Sequence, residues 1–193
     1  MSKSELRTQG IRARRAIPGA ALERDSALVE RNLTGERVYV DAAWIASYVS
    51  KADEVQTDGL IRRMIAEGKR VAVPRVDAGS GSLVFHEIRG LDGLAPGAHG
   101  IREPPAGSPA VALAATDITL VPLVSWDDRG HRVGSGMGYF DRALAQRGRS
   151  VAVGLALESQ RVPRIPEGPG DVPLDMLVTE RRVLRFSRGG AVG

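Results

Sequence analysis

Apolar residues recur along this chain with two different periods, and the alternation between them outlines the fold. Leu6, Ile11, Ala13 and Ile17 make a thin apolar stripe among arginines, which predicts a helix over residues 2 to 17, stopped by Pro18-Gly19. Leu22, Ala27, Leu28, Val29 and Leu33 recur at helical intervals, so a second helix is expected from Ala20 to Leu33, with Gly35 just past its end. Residues 38 to 49 are ambiguous. The run Trp44 to Ser50 reads as a buried strand because it is rich in β-branched and aromatic side chains. A polar loop then leads into a helix from Asp58 to Glu67, closed by Gly68.

Further strands are expected at Arg70 to Val76, Ser82 to Ile88, Ile118 to Val124, Val151 to Leu157 and Met176 to Val178, with an edge strand at Arg182 to Phe186. A helix from Tyr139 to Arg147 is stopped by Gly148. Residues 90 to 110 contain five Gly and four Pro without periodicity, the pattern of a functional loop or lid. Strands alternating with helices predict an α/β fold. It is expected as a single domain over residues 1 to 187, a mixed, mostly parallel sheet with helices on both faces, and 188 to 193 as a frayed tail.

The stretch from Arg132 to Asp141, R-V-G-S-G-M-G-Y-F-D, carries the densest chemistry. Gly134, Gly136 and Gly138 allow the backbone to turn several N–H groups toward one point, an anion-binding nest. The helix opening at Tyr139 directs its positive end to the same point. Arg132 at the entrance suits bidentate contact with phosphate, and Asp141 in the first turn is placed to hold Mg2+ over phosphates. There is no Gly-Lys-Ser/Thr of a Walker A loop, and the G-x-G-x-G spacing is not a dinucleotide fingerprint. The glycines alone are equally compatible with a turn and a capping Asp. The flanking Arg and Tyr-Phe-Asp favour a nucleoside-triphosphate cradle.

Other candidates have two readings each. Lys3 and Arg7, four apart, share one helix face, which is either a solvated basic surface or a phosphate clamp folded over the nest. Glu54, in the loop leaving the Trp44 strand, is either placed to accept hydrogen bonds from a nitrogen heterocycle or part of a surface loop capped at Thr57 or Asp58. Trp126 beside the nest offers a flat wall for an aromatic ring. Asp127 and Asp128, before Arg-Gly, read as turn formers rather than a paired acid/base, and His131 as a loop side chain. Asp171 sits in a Pro/Gly loop and would be a second Mg2+ ligand if that loop returns to the nest.

Composition narrows the classes. With no cysteine, disulfides, thiolate metal sites and cysteine nucleophiles are excluded, and His86, His99 and His131 lack helical metal-site spacing. No run approaches a membrane span and no signal-peptide core follows the N-terminus, so a cytoplasmic protein is expected, without a membrane partner. The formal charge is +4, carried by 24 Arg and only 3 Lys. Lys3, Arg7, Arg12, Arg14 and Arg15 against Glu5 alone account for all of it, leaving the remainder neutral. A basic nucleic-acid-binding arm would bring steep salt dependence, but the neutral remainder weighs against a nucleic-acid partner. Arg12, Arg14 and Arg15 have no assigned role and read as solvated.

Together these residues resemble the 5-formyltetrahydrofolate cyclo-ligase family. The resemblance centres on L-V-P-L-V-S-W-D-D-R-G-H-R-V-G-S-G-M-G-Y-F-D-R at 120–142, and the K-S-E-L-R start, D-E-V-Q-T at 53–57, V-P-R at 73–75 and G-I-R-E-P at 100–104 support it. Further support comes from V-G-L-A-L-E-S-Q-R-V-P at 153–163, the Asp171 loop and L-V-T-E at 177–180.

The resemblance implies an ATP- and Mg2+-dependent ligase that cyclises 5-formyltetrahydrofolate to 5,10-methenyltetrahydrofolate. Its partners would be ATP and a reduced folate, in a monomer or weak dimer. Lys3 and Arg7 would then contact ATP phosphates. Arg132, Val133, Gly134, Ser135, Gly136, Met137, Gly138, Tyr139 and Phe140 would form the nucleotide loop, and Asp141 and Asp171 would hold Mg2+. Val49 and Glu54 would line the folate pocket, Glu54 as the pterin anchor, and Tyr139 would stand between the two ligands. Arg75 is a weaker candidate for phosphate or glutamate-tail contact. Ser135 and Met137 occupy positions that are basic in some relatives, and Phe140 stands where Tyr is common. A paralogue activating a different formyl or carboxylate substrate is the alternative.

Overall fold

In chain order the helices are α1 (Lys3–Arg15), α2 (Gly19–Thr34), α3 (Arg37–Asp41), α4 (Asp58–Ala66) and α5 (Tyr139–Leu144). The strands are β1 (Trp44–Ala46), β2 (Arg70–Asp77), β3 (Ser82–Ile88), β4 (Ala95–Pro96), β5 (Arg102–Glu103), β6 (Ala110–Val111), β7 (Ile118–Pro122), β8 (Ser125–Trp126), β9 (Arg132–Val133), β10 (Val151–Leu155), β11 (Met176–Val178) and β12 (Val183–Arg185). The computed structural model describes residues 1–77 and 79–187, so the expected frayed tail at 188–193 lies outside the described residues. No described helix is long and apolar enough to cross a membrane.

Eight strands form one sheet in the order β12-β11-β10-β7-β1-β2-β3-β6. The five from β11 to β2 are parallel, and the antiparallel strands lie at the edges. Side chains alternate between the faces, as strand geometry requires. Ile45, Val71, Val73, Ile118, Leu120, Val153, Leu155, Met176 and Val178 pack with Leu22, Val29 and Leu33 of α2 and Leu60, Ile61 and Met64 of α4. The opposite face carries smaller residues, Ala46, Ala72 and Ala152, and receives α5 through Leu144, Phe140 and Ala143. Gly154 belongs to this face; a Cβ there would come within 2.5 Å of Leu174 Cδ1. The expected mixed, mostly parallel sheet covered on both faces is therefore present.

Several boundaries differ from the sequence reading. The first strand stops at Ala46 rather than Ser50, because the chain leaves the ladder to close a loop. Ser47 N still donates to Ala72 O at 2.8 Å, but beyond it the Thr57 hydroxyl donates to Tyr48 O and accepts from Ser50 N. Thr57 thus clips this loop shut rather than capping α4. Within the ambiguous 38–49 stretch a short helix, α3, precedes the strand. Residues 90–110 contain the short strands β4 and β5 and the start of β6, and are tied to the rest of the fold. Buried Glu103 accepts from Val76 N and Ala98 N, and Arg102 pairs with Asp58.

Strand order places the site. From β1 the chain proceeds to β2 on one side, while β7 lies on the other, so the connections diverge at the β1/β7 boundary. In open α/β sheets the crevice beyond the carboxyl ends of such strands is where ligands bind. Tyr48 and Val49 follow β1 there, and Leu123 and Val124 follow β7. Helix α1 passes next to this crevice, secured at its start by a capping box in which Ser2 N donates to Glu5 Oε2 at 2.6 Å. That bond is the main reason the Glu5 carboxyl lies below its ordinary range.

Candidate active site

A cavity of about 530 Å3 occupies the crevice and is walled by α1, the loop after β1, the ends of β2 and β7, and the glycine-rich segment. Its volume is within the range of small-molecule sites.

The glycine segment is held from below by Asp127. Wholly buried, Asp127 accepts from Arg129 N and His131 N on Oδ1, and from Ile165 N and the Arg129 guanidinium on Oδ2. Burial pushes this carboxyl up, yet the backbone donors and Arg129 outweigh it and hold the group below its ordinary value. The turn role expected for Asp127 is thus a brace under the β8–β9 hairpin that launches the loop. Asp127→Asn is expected to cost about 3 kcal/mol in urea unfolding at neutral pH, since it leaves Arg129 and the Ile165 N–H without their charge partner. A depressed carboxyl contributes its stability above the unfolded value. The gap between wild type and variant should therefore be full above about pH 4 and shrink as the pH falls below it.

From Val133 the chain turns through Gly136 (φ 111°) and Gly138 (φ 64°), both left-handed, before entering α5. Gly134, Ser135, Gly136, Met137 and Gly138 all border the cavity, with Ser135, Gly136 and Met137 exposed. Helix α5 ends at Leu144 because its last turn tightens: Gln146 N bonds Ala143 O, and Arg147 N bonds Leu144 O. At six residues α5 is shorter than expected, so its dipole is weaker than that of a long helix. Tyr139 borders the cavity with Arg142 stacked 5.3 Å from its ring. Phe140 also borders it and meets Phe85 edge-on, ring centroids 6.4 Å apart.

Helix α1 supplies the facing wall. Lys3, Arg7 and Arg14 lie within a narrow arc of the helix, being four and eleven residues apart. Gly10, on the same arc, permits the approach: a Cβ there would come within 2.5 Å of Ser125 Oγ and 2.9 Å of Val124 O. Arg7 donates from Nε to Gly134 O at 3.0 Å and lies over Gly136. Lys3 pairs with Asp171. This basic face is therefore folded against the glycine segment and the Asp171 loop rather than wholly solvated. Arg132 is buried, donating to Val172 O and to Asp141 Oδ1, the latter at 2.8 Å. Burial pulls its guanidinium below the ordinary value, opposed by Asp141, and it remains a cation.

Asp141 and Asp171 both border the cavity, so the Pro/Gly loop does return to the nest. At the other end Val49 and Glu54 also border it. Glu54 accepts from Lys51 N at 3.0 Å on Oε2 and faces Arg14 Nη1 at 3.5 Å on Oε1. The cavity therefore has Lys3, Arg7 and Arg132 with Asp141 and Asp171 at one end, and Glu54 with Arg14 and Lys51 at the other.

Two expectations are corrected. Trp126 does not offer its face to a ligand. It is wholly buried among Val121, Leu144 and Leu177, with Nε1 donating to Leu157 O at 3.0 Å. Nor does Arg75 reach the cavity. Strand alternation sends Pro74 and Val76 there, while Arg75 donates to Pro104 O at 2.9 Å and braces the 90–110 segment beside Glu103. Conversely, Arg14 is buried and borders the cavity rather than being solvated. Its position on the Lys3–Arg7 arc was the available signal. Tyr48 was also missed; it is buried at the cavity wall and donates to Val55 O at 2.9 Å.

The chain is similar to known proteins along most of its length. The model of the 5-formyltetrahydrofolate cyclo-ligase family matches residues 1–180. A 5-formyltetrahydrofolate cyclo-ligase of Mycolicibacterium smegmatis is 30% identical over 186 residues, covering 94% of this chain and 95% of that protein. The enzyme of that name from Escherichia coli K12 is 32% identical over 148 residues, 75% of this chain and 81% of its own. Among solved structures, the Aquifex aeolicus 5,10-methenyltetrahydrofolate synthetase superposes with a TM-score of 0.86 at 30% identity, covering 100% of this chain and 97% of that one. With the family model spanning nearly the whole length and relatives matching along it, the chain belongs to the 5-formyltetrahydrofolate cyclo-ligase family.

Proposed function

We propose that this protein cyclises 5-formyltetrahydrofolate to 5,10-methenyltetrahydrofolate at the expense of ATP, releasing ADP and phosphate. The observation that carries the reading is the set of charged residues at the two ends of the crevice cavity. The end with Lys3, Arg7 and Arg132 suits a triphosphate, the Glu54 end suits the donor groups of a pterin, and Tyr139 and Phe140 also line the cavity. Family membership supplies the substrate pair.

The chemistry needs positioning more than a nucleophilic side chain. The γ-phosphoryl group passes to the formyl oxygen, forming one P–O bond as the bond to ADP breaks. N10 then attacks the formyl carbon and loses its proton, and the C–O bond breaks to release phosphate. In this reading Lys3, Arg7 and Arg132 bind and neutralise the transferring phosphates, Glu54 orients the pterin, and Tyr139 keeps the two ligands aligned and water out.

The acidic residues fit Mg2+. Among the described residues no cluster of three or more metal-ligating side chains forms, but Mg2+ on a nucleotide commonly uses only one or two carboxylates beside phosphate oxygens and water. In Asp141 both protein donors, Arg132 and Val172 N, take Oδ1; in Asp171 both, Lys3 and Gly168 N, take Oδ2. Each carboxylate thus keeps one oxygen for a cation, and these two residues would hold it. When bound, the ion neutralises charge on the phosphates. We further place the protein in the cytoplasm as a monomer or weak dimer without a nucleic-acid partner, which the neutral charge balance outside α1 supports.

The path of the formyl oxygen tests the mechanism. Substrate labelled with 18O in the formyl group should yield one labelled atom per released phosphate. Unlabelled phosphate would exclude transfer to that oxygen.

A further inference from the structure

Arg14 is a cation with little water contact: its side chain is 8% exposed, yet nothing in the phosphate end of the cavity accounts for it. It donates to Asp53 Oδ2 from Nη2 at 3.0 Å and from Nε at 3.2 Å, and to Leu123 O from Nη1 at 3.3 Å. The same Nη1 lies 3.5 Å from Glu54 Oε1. One guanidinium therefore joins three walls of the cavity, namely α1, the loop after β1 and the exit of β7.

We propose that Arg14 is a positioning residue that sets the carboxylate of Glu54 for the folate. The inference rests on Glu54 being the pterin anchor. Glu54 is gripped on both oxygens, by Lys51 N on Oε2 and by Arg14 on Oε1, so its plane is fixed before a ligand arrives. Arg14 itself is aimed by Asp53, whose oxygen occupies two of its donors. Burying a guanidinium with two carboxylates is a costly way to attach a helix, and an apolar side chain would do that alone at less cost. What the arrangement adds is direction: the Glu54 carboxylate is held in one orientation at the end of the cavity that would meet pterin N–H donors. Arg14 also shares the arc of α1 that carries Lys3 and Arg7, so one helix holds groups at both ends of the cavity.

The test is a double-mutant cycle with Arg14→Gln, Glu54→Gln and the combined variant. KM for 5-formyltetrahydrofolate and KM for ATP are measured separately in each. If Arg14 acts through Glu54, Arg14→Gln raises the folate KM by about tenfold and leaves the ATP KM within about twofold. The combined variant is then no worse than Glu54→Gln alone. Arg14→Lys, which keeps the charge but reaches only one carboxylate, falls between wild type and Arg14→Gln, and it carries the comparison if the Gln variant does not fold. Equal rises in both KM values, or additive losses in the double variant, would show a merely structural role and overturn the proposal. An impaired Glu54→Gln with a normal Arg14→Gln removes this inference alone. A normal Glu54→Gln removes the anchor reading and this inference with it.

Discussion

Asp141→Asn is expected to lower kcat by about a thousandfold while the protein still folds and ATP binding stays measurable, because losing a fixed charge at a phosphoryl-transfer site costs on the order of 4 kcal/mol of transition-state stabilisation. The substitution is nearly isosteric, so the loop keeps its shape and Oδ1 keeps its bonds from Arg132 and Val172 N. What disappears is the negative charge that balances buried Arg132 and the oxygen left for Mg2+. Higher Mg2+ should recover part of the rate if the metal is the main loss. Full activity at ordinary Mg2+ would remove Asp141 from the metal site; a lower melting temperature is expected in either case, since buried Arg132 loses its charge partner.

Gly10→Ala should have the second largest effect, and its sign is opposite to what helix propensity gives. In an exposed helix the change from Gly to Ala stabilises by about 1 kcal/mol. Here the new Cβ would meet Val124 Cγ1 at 2.6 Å and Val124 O at 2.9 Å, and a backbone oxygen on a strand end cannot rotate away. Helix α1 must lift instead, taking Lys3, Arg7 and Arg14 with it. Overpacking of this kind costs about 1–3 kcal/mol. We expect a lower melting temperature and a rise of about tenfold or more in KM for both ATP and the folate. A more stable variant with unchanged kinetics would mean that α1 is not docked as described.

The sequence exposed the parts of this site that are built from backbone. Glycines at fixed spacing mark a sharply turning loop, so the cavity-lining Gly134, Gly136 and Gly138 announced themselves, and Asp141 was readable from its place after them. The sheet was equally legible, since β10 and β11 are continuous apolar runs and β7 nearly so, as strands covered on both faces are. What escaped was the destination of individual side chains. Charge does not reveal burial, and Arg14 looked like its solvated neighbours Arg12 and Arg15 until the helix docked. Trp126 was placed by proximity to the nest, although β8 turns it into the core. Arg75 was legible in principle, because alternation through Pro74, Arg75 and Val76 sends the middle residue away from its neighbours. The short strand β1 misled for another reason: Tyr48 and Val49 are as apolar as a strand, but they are buried in the wall of a cavity.

The central claim concerns catalysis in one two-ended crevice, and direct turnover tests it. Purified protein is mixed with 5-formyltetrahydrofolate, ATP and Mg2+, and methenyltetrahydrofolate is followed by its absorbance at acidic pH alongside ADP. The account predicts product and ADP in equal amounts, with none when ATP is omitted. Bound ATP without product, or product that forms equally well without ATP, would contradict it.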